Sequence, residues 1–147
     1  MATIRRASVV WEGDLAHGKG LVTAETSKAF SALPVTWASR IERADGRTSP
    51  EELLASAHAS CYAMALSHIL SQGKTPPRRL QVESVVTFER AGDGFKVSSS
   101  ALTVRGSVPG LDADGFRQAA ETAKDNCPIS QALHGTVHLA VEATLES

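Results

Sequence analysis

Cysteine is scarce: there are two in 147 residues, and neither belongs to a C-x-x-C pair. H-E-x-x-H spacing is absent as well, so the usual sequence signatures of a zinc site are missing. Charge of one sign is not in excess. Fifteen Lys and Arg stand against 16 Asp and Glu, for a net charge of -1. The basic residues are scattered, which leaves no electrostatic footprint for nucleic acid or an anionic membrane. The N-terminal MATIRRASVVWEGD contains two arginines but neither the apolar core nor the cleavage site of a signal peptide. The longest uncharged run, 53–73, carries Ser56, Ser60, Ser67, Ser71, His58, His68 and Gln72, too many polar groups for lipid. These absences lead to the expectation of a cytoplasmic protein with no nucleic-acid or membrane partner. In that reducing compartment the two cysteines are core residues, metal ligands or redox groups, rather than a structural disulfide.

What is present suits a single globular domain, residues 1–147, with 42% hydrophobic and 21% charged residues. Residues 6–11, 20–25 and 34–42 read as short strands separated by turn-forming stretches. A long helix is predicted over 50–72, closed by Gly73 and followed by Pro76 and Pro77. A hairpin is predicted from 80–90 and 95–108 about the turn AGDG. A helix over 112–125 capped by Asp112, a short helix starting at CPISQAL and a last strand over 137–146 complete the order. That order is α+β, without the strict alternation of a doubly wound parallel sheet.

The helix in TSPEELLASAHASCYAMALSHIL has a well-specified start, with Ser49 at the N-cap, Pro50 at N1 and Glu52 at N3. That capping box explains Glu52 but not Glu51, for which the plain alternative is a carboxylate favoured by the helix dipole. Ala and Ser then occur nearly all round, and a helix this uncharged and small-sided is expected to be covered on both sides. The chain's own sheet covers one side and a second copy of the helix the other, hence a homodimer. Cys61, near the middle, would be buried by default and its thiol inert. For Cys61 to react, a cation must come from outside its helix, which has no Lys or Arg. Arg40, expected on the strand 34–42 that leads to the helix, is the candidate.

Cys127 lies in KDNCPISQAL, where Pro128 suits a first helical position and places Cys127 at or near an N-cap. A thiol there meets the positive end of the helix dipole; the plain alternative is a turn cysteine of no consequence. A metal site is the competing use. His58 and Cys61 form H-x-x-C on one helical face, and His17, His68, His134 and Cys127 are further donors. A histidine among alanines is otherwise a hydrogen-bonded core or interface residue. No nucleophile-elbow pattern supports a Cys-His hydrolase.

The segments SPEELLASAHASCYAMALSHIL and AKDNCPISQAL, with WEGD and GKG near the start, resemble the OsmC/Ohr family of thiol-dependent peroxidases over essentially the whole chain. The resemblance implies an α+β, OsmC-like fold with antiparallel sheets packed around a long central helix, in an intertwined homodimer with two shared active sites. It implies reduction of organic hydroperoxides, and more weakly of hydrogen peroxide, at the expense of a dithiol such as a lipoyl protein. No cofactor is expected. Cys61 matches the peroxidatic cysteine, Cys127 the resolving cysteine and Glu51 the glutamate of the PEEL motif. The family's arginine distinguishes its branches. In the Ohr branch it lies in the first turn, where this chain has His17, Gly18 and Lys19. In the OsmC branch it lies before the helix, where this chain has Arg40.

Glu51 and Cys61 are ten residues apart on one helix, about 15 Å along its axis. A compact site containing both therefore takes Glu51 from one chain and Cys61 from the other. An alkyl peroxide needs an apolar wall, for which Phe30, Trp37, Met64 and Phe88 are candidates, each equally explained as core. Residues 26–34 read as a mobile loop beside the site. The reading from another class is a non-catalytic dimeric small-molecule-binding module with the same fold.

Overall fold

A tryptophan and two glycines shape the start of the chain. In the computed structural model, which describes residues 1–147, β1 (Ala7–Glu12) pairs antiparallel with β2 (Lys19–Ala24), and Trp11 stands opposite Gly20. A Cβ at Gly20 would come within 2.9 Å of the Trp11 ring, and one at Gly18 within 2.3 Å of the Asp14 carbonyl. The G-K-G spacing thus leaves room for the indole and the turn. β3 (Leu33–Val35) adds to β2, again antiparallel. The segment before it is tied by its own backbone: Ala24 donates to the Phe30 carbonyl at 3.0 Å and Lys28 to the Ala24 carbonyl at 2.9 Å. Contacts divide the chain into two compact units, 1–53 and 54–147.

The expected strand over 34–42 is a correction. The strand stops at Val35, and α1 (Trp37–Ile41) follows, so Arg40 is helical. Thr36 is the reason. Its hydroxyl accepts from the Ser39 amide at 3.0 Å, and the Ser39 hydroxyl accepts from the Thr36 amide at 3.0 Å, a reciprocal cap that outweighs the alternating apolar pattern.

α2 (Pro50–Gln72) has the predicted bounds, and the Ser49 hydroxyl accepts from the Glu52 amide at 3.1 Å. The Glu52 carboxylate accepts from the Thr48 hydroxyl. In the second unit, β4 (Arg79–Ala91) and β5 (Gly94–Ser107) form the expected hairpin, turning at Gly92 with φ 60. α3 (Ala113–Asn126), capped by Asp112, α4 (Pro128–Leu133) and β6 (His138–Leu145) follow. β6 lies parallel to β5, so the second sheet, ordered β4-β5-β6, is mixed. The antiparallel expectation holds for the other pairs. This one differs because the chain returns to the sheet through α3 and α4, the crossover that parallel pairing requires.

His58, Tyr62, Leu66 and Leu70 form one buried stripe at helical spacing on α2. The core of this unit joins Tyr62, Leu66 and Leu70 to Leu102 and Val104 of β5 and Phe116 and Ala120 of α3. Tyr62 donates to the Ala120 carbonyl at 3.0 Å. By length and composition alone α2 could cross a bilayer, but this stripe packs one face of it into the core of the unit. Its opposite face is open within the chain, where Met64 is 72% exposed.

Candidate functional site

Two constellations gather the predicted residues. The first is built on α1. Ser39, already part of the cap, also donates to the Thr48 carbonyl at 3.1 Å, and Thr48 donates through its amide to the Pro34 carbonyl at 3.1 Å. Those bonds fix α1 against the entrance to α2, where Ser49 and Pro50 place Glu51 in the first turn. Arg40 meets Glu51 through Nε, 3.0 Å from Oε1 and 3.2 Å from Oε2, and through Nη2, 2.8 Å from Oε1. The Glu51 side chain is 10% exposed and that of Arg40 30%. A forked contact this well shielded orients the guanidinium. Arg40 also lies over the Trp37 ring, 5.9 Å from its centroid.

Beside this pair is an apolar cavity of about 340 Å³, whose walls include Val9, Trp11, Val22, Val35 and Trp37, with Arg40 at its rim. Of the four predicted wall residues only Trp37 lines it. Met64 borders an open groove on the outer face of α2 with Ser67 and His68. Phe88 is stacked on Phe95 with centroids 5.0 Å apart, at the turn end of the β4–β5 hairpin. Phe30 is half-buried in the loop before β3. Val9, Trp11 and Val22 were missed, because β1 and β2 carry unbroken apolar runs in sequence and no alternation marks which residues face the cavity.

The second constellation holds both cysteines, which are free thiols. Cys127 is buried and serves two helices at once. Its amide donates to the Ala123 carbonyl at 2.9 Å, ending α3, and its carbonyl accepts from Gln131 at 3.0 Å, starting α4. Its side chain makes no cap bond. Instead it lies in the buried core cluster against which Cys61, half-buried on α2, is packed. Burial pushes the Cys61 thiol above its ordinary pKa and its neighbour Cys127 adds to this, while the backbone of Ile129 pulls it down.

Next to the cysteines, His58 is fully buried and bonded on both sides: Nδ1 is 2.6 Å from the Ser100 hydroxyl and Nε2 is 2.8 Å from the Ser130 hydroxyl. It is the hydrogen-bonded core histidine that its alanine neighbours suggested. No three His, Cys, Asp or Glu side chains are grouped to hold a metal. Burial lowers the His58 pKa from its ordinary 6.5, because the imidazolium loses solvation. The unfolded chain therefore binds the proton more readily. The stability tied to this shift is whole above about pH 6.5 and is lost as pH falls below that, by up to about 1.4 kcal/mol per pH unit. Urea midpoints measured from pH 7.5 down to 5 should fall accordingly, and His58→Gln should flatten that slope.

Two free thiols on separate helices, packed about one core on an α+β frame, have the layout of a dithiol redox protein. The comparisons with known proteins agree with that class. Residues 43–142 match the family model described as OsmC-like protein. Peroxiredoxin OsmC of Escherichia coli (strain K12) is 35% identical over 139 residues, covering 95% of this chain and 96% of that protein. Organic hydroperoxide resistance protein-like 2 of Staphylococcus epidermidis is 30% identical over 101 residues, 67% of this chain and 69% of that one. The crystal structure of the organic hydroperoxide resistance protein OhrB of Bacillus subtilis superposes with a TM-score of 0.73 at 24% identity, covering 95% of this chain and 98% of that one. The chain belongs to the OsmC-like family.

Proposed function

We propose that this protein is a cysteine-based peroxidase that reduces organic hydroperoxides, and hydrogen peroxide more weakly, in the cytoplasm. The observation that carries the reading is the packing of Cys61 of α2 against the core cluster that holds Cys127 at the start of α4, both as free thiols. The Cys61 thiolate attacks the distal peroxide oxygen; an alcohol leaves and Cys61 becomes a sulfenic acid. Cys127 condenses with it to a disulfide and water, and a dithiol, such as a lipoyl protein, restores both thiols by exchange. The names of the relatives, a peroxiredoxin and an organic hydroperoxide resistance protein, support the same chemistry.

The thiolate needs a cation, because burial within one chain works against it. Arg40, oriented by Glu51, supplies that charge from a second copy and also stabilises charge developing on the peroxide oxygens. Glu51 does not approach the sulfur, where a carboxylate would favour the thiol. An intertwined dimer is supported by what one chain leaves open. Val9, Val10, Leu15 and Leu21 of the first unit are 41 to 60% exposed, and so is the Met64 face of α2 at 72%. The cavity beside Arg40 is suited to the alkyl part of the substrate.

Titration of the reduced protein with cumene hydroperoxide is expected to remove one pair of thiols per peroxide. Turnover with a dithiol should fall in the order cumene or tert-butyl hydroperoxide, then hydrogen peroxide. Thiols that survive an excess of every peroxide would favour the non-catalytic binding module instead.

A further inference from the structure

The cysteine pair leaves His58 without a role, yet no side chain in this unit is more fully engaged. The imidazole bonds to Ser100 of β5 at 2.6 Å and to Ser130 of α4 at 2.8 Å, and Ser100 is 2.9 Å from the Ser84 hydroxyl of β4. A neutral imidazole offers one donor and one acceptor in a fixed plane, so both hydroxyls are held in defined directions. The positions matter more than the count. His58 precedes Cys61 by one turn of α2, on the same face, and Ser130 follows Cys127 by three residues in α4. One side-chain bond, a turn away from each thiol, thus ties together the two helices that bear the cysteines.

We infer that His58 is a positioning residue for disulfide formation: through Ser130 it holds the start of α4 against α2, so that Cys127 reaches oxidised Cys61. The inference rests on the peroxidase reading above. In the step concerned, the Cys127 sulfur attacks the sulfenic sulfur of Cys61. The S–S bond forms, the S–O bond breaks, and the departing hydroxide takes the Cys127 thiol proton and leaves as water. No other reactant enters. A disulfide accepts Cα separations only within about 4.4–6.8 Å, so a small drift of the six-residue α4 decides whether the bond closes. The competing fate is attack of the Cys61 sulfenate on a second hydroperoxide, which breaks the O–O bond, releases another alcohol and gives a sulfinic acid that a dithiol does not reverse.

Two matched substitutions separate this role from ordinary core satisfaction. Ser130→Ala and Ser100→Ala each delete one hydroxyl from the same buried ring, but only Ser130 belongs to α4. The reduced full-length variants are mixed with cumene hydroperoxide and quenched, and mass spectrometry follows Cys61 oxidation, the disulfide and the sulfinic acid. In Ser130→Ala the ratio of disulfide formation to Cys61 oxidation is expected to drop about tenfold, the order that one lost buried hydrogen bond carries, with sulfinic acid accumulating under excess peroxide. Ser100→Ala should keep the parental ratio at a matching thermal midpoint. Among direct replacements, His58→Gln, which can still bond to Ser130, should retain more of the ratio than His58→Leu. A parental ratio in Ser130→Ala overturns the inference, and so does an equal drop in both serine variants. A parent whose thiols ignore the hydroperoxide overturns the proposed function itself, a result visible before any variant is compared.

Discussion

Cys61→Ser is expected to reduce hydroperoxide consumption with a dithiol reductant to background, a loss of about 10⁴-fold or more on the scale that removing a nucleophile sets. A serine hydroxyl keeps the size of the side chain but is neither ionised nor nucleophilic toward peroxide oxygen under conditions where a thiolate reacts. Cys127→Ser should behave differently. Its Cys61 still reacts once with hydroperoxide, but the sulfenic acid then has no neighbouring thiol and stays until a second peroxide or an external thiol reaches it. Single-turnover and steady-state assays therefore split the pair. The first phase is lost only in Cys61→Ser, whereas turnover of Cys127→Ser with a dithiol continues only at the slower rate at which the external thiol reaches the sulfenic acid. A Cys61→Ser protein with parental turnover would remove the assignment altogether.

The second large effect concerns the charge that Cys61 needs. Arg40→Ala should lower kcat/KM by about 10²-fold to 10³-fold, the range associated with losing one preorganised donor at developing charge. Glu51→Ala should follow in the same direction, since the guanidinium loses the three short contacts that orient it. The decisive version uses mixed dimers of one Glu51→Ala chain and one Cys61→Ser chain. If Glu51 of one copy serves Cys61 of the other, each mixed dimer retains one intact site and half the parental activity. If each chain serves itself, both sites are defective and activity stays at the level of the Glu51→Ala homodimer or below.

Much of this arrangement was legible because local rules and global packing agree along α2. Ser49, Pro50 and Gly73 mark its ends, and its bounds are those of the structure. The α3 cap at Asp112 and the α3–α4 junction at Cys127 were readable for the same reason, a side chain or proline acting within a few residues of itself. Arg40 was found but misplaced. In PVTWASRIE the alternation of apolar residues argues for a strand, and the two-way cap between Thr36 and Ser39 decides for a helix. The parallel placement of β6 was not legible, because its partner lies across the whole α3–α4 crossover and no short window contains both. The bonds of His58 were hidden for a similar reason. Ser100 and Ser130 are ordinary serines in sequence and acquire meaning only where β5 and α4 meet α2.

The mixed sheet has a further consequence, for how this half of the chain is assembled. The β4–β5 hairpin closes across a two-residue turn and can form from contacts near in sequence. β6 cannot dock in that way. Its parallel ladder on β5 requires the crossover to be spanned first, and the entropy of closing that loop is lost before any β5–β6 bond returns free energy. The sheet therefore has an early edge and a late one. Cys127 rides in the late part, whereas Cys61 lies in a helix specified by its own caps, so refolding should restore the helix and hairpin before the two thiols become neighbours.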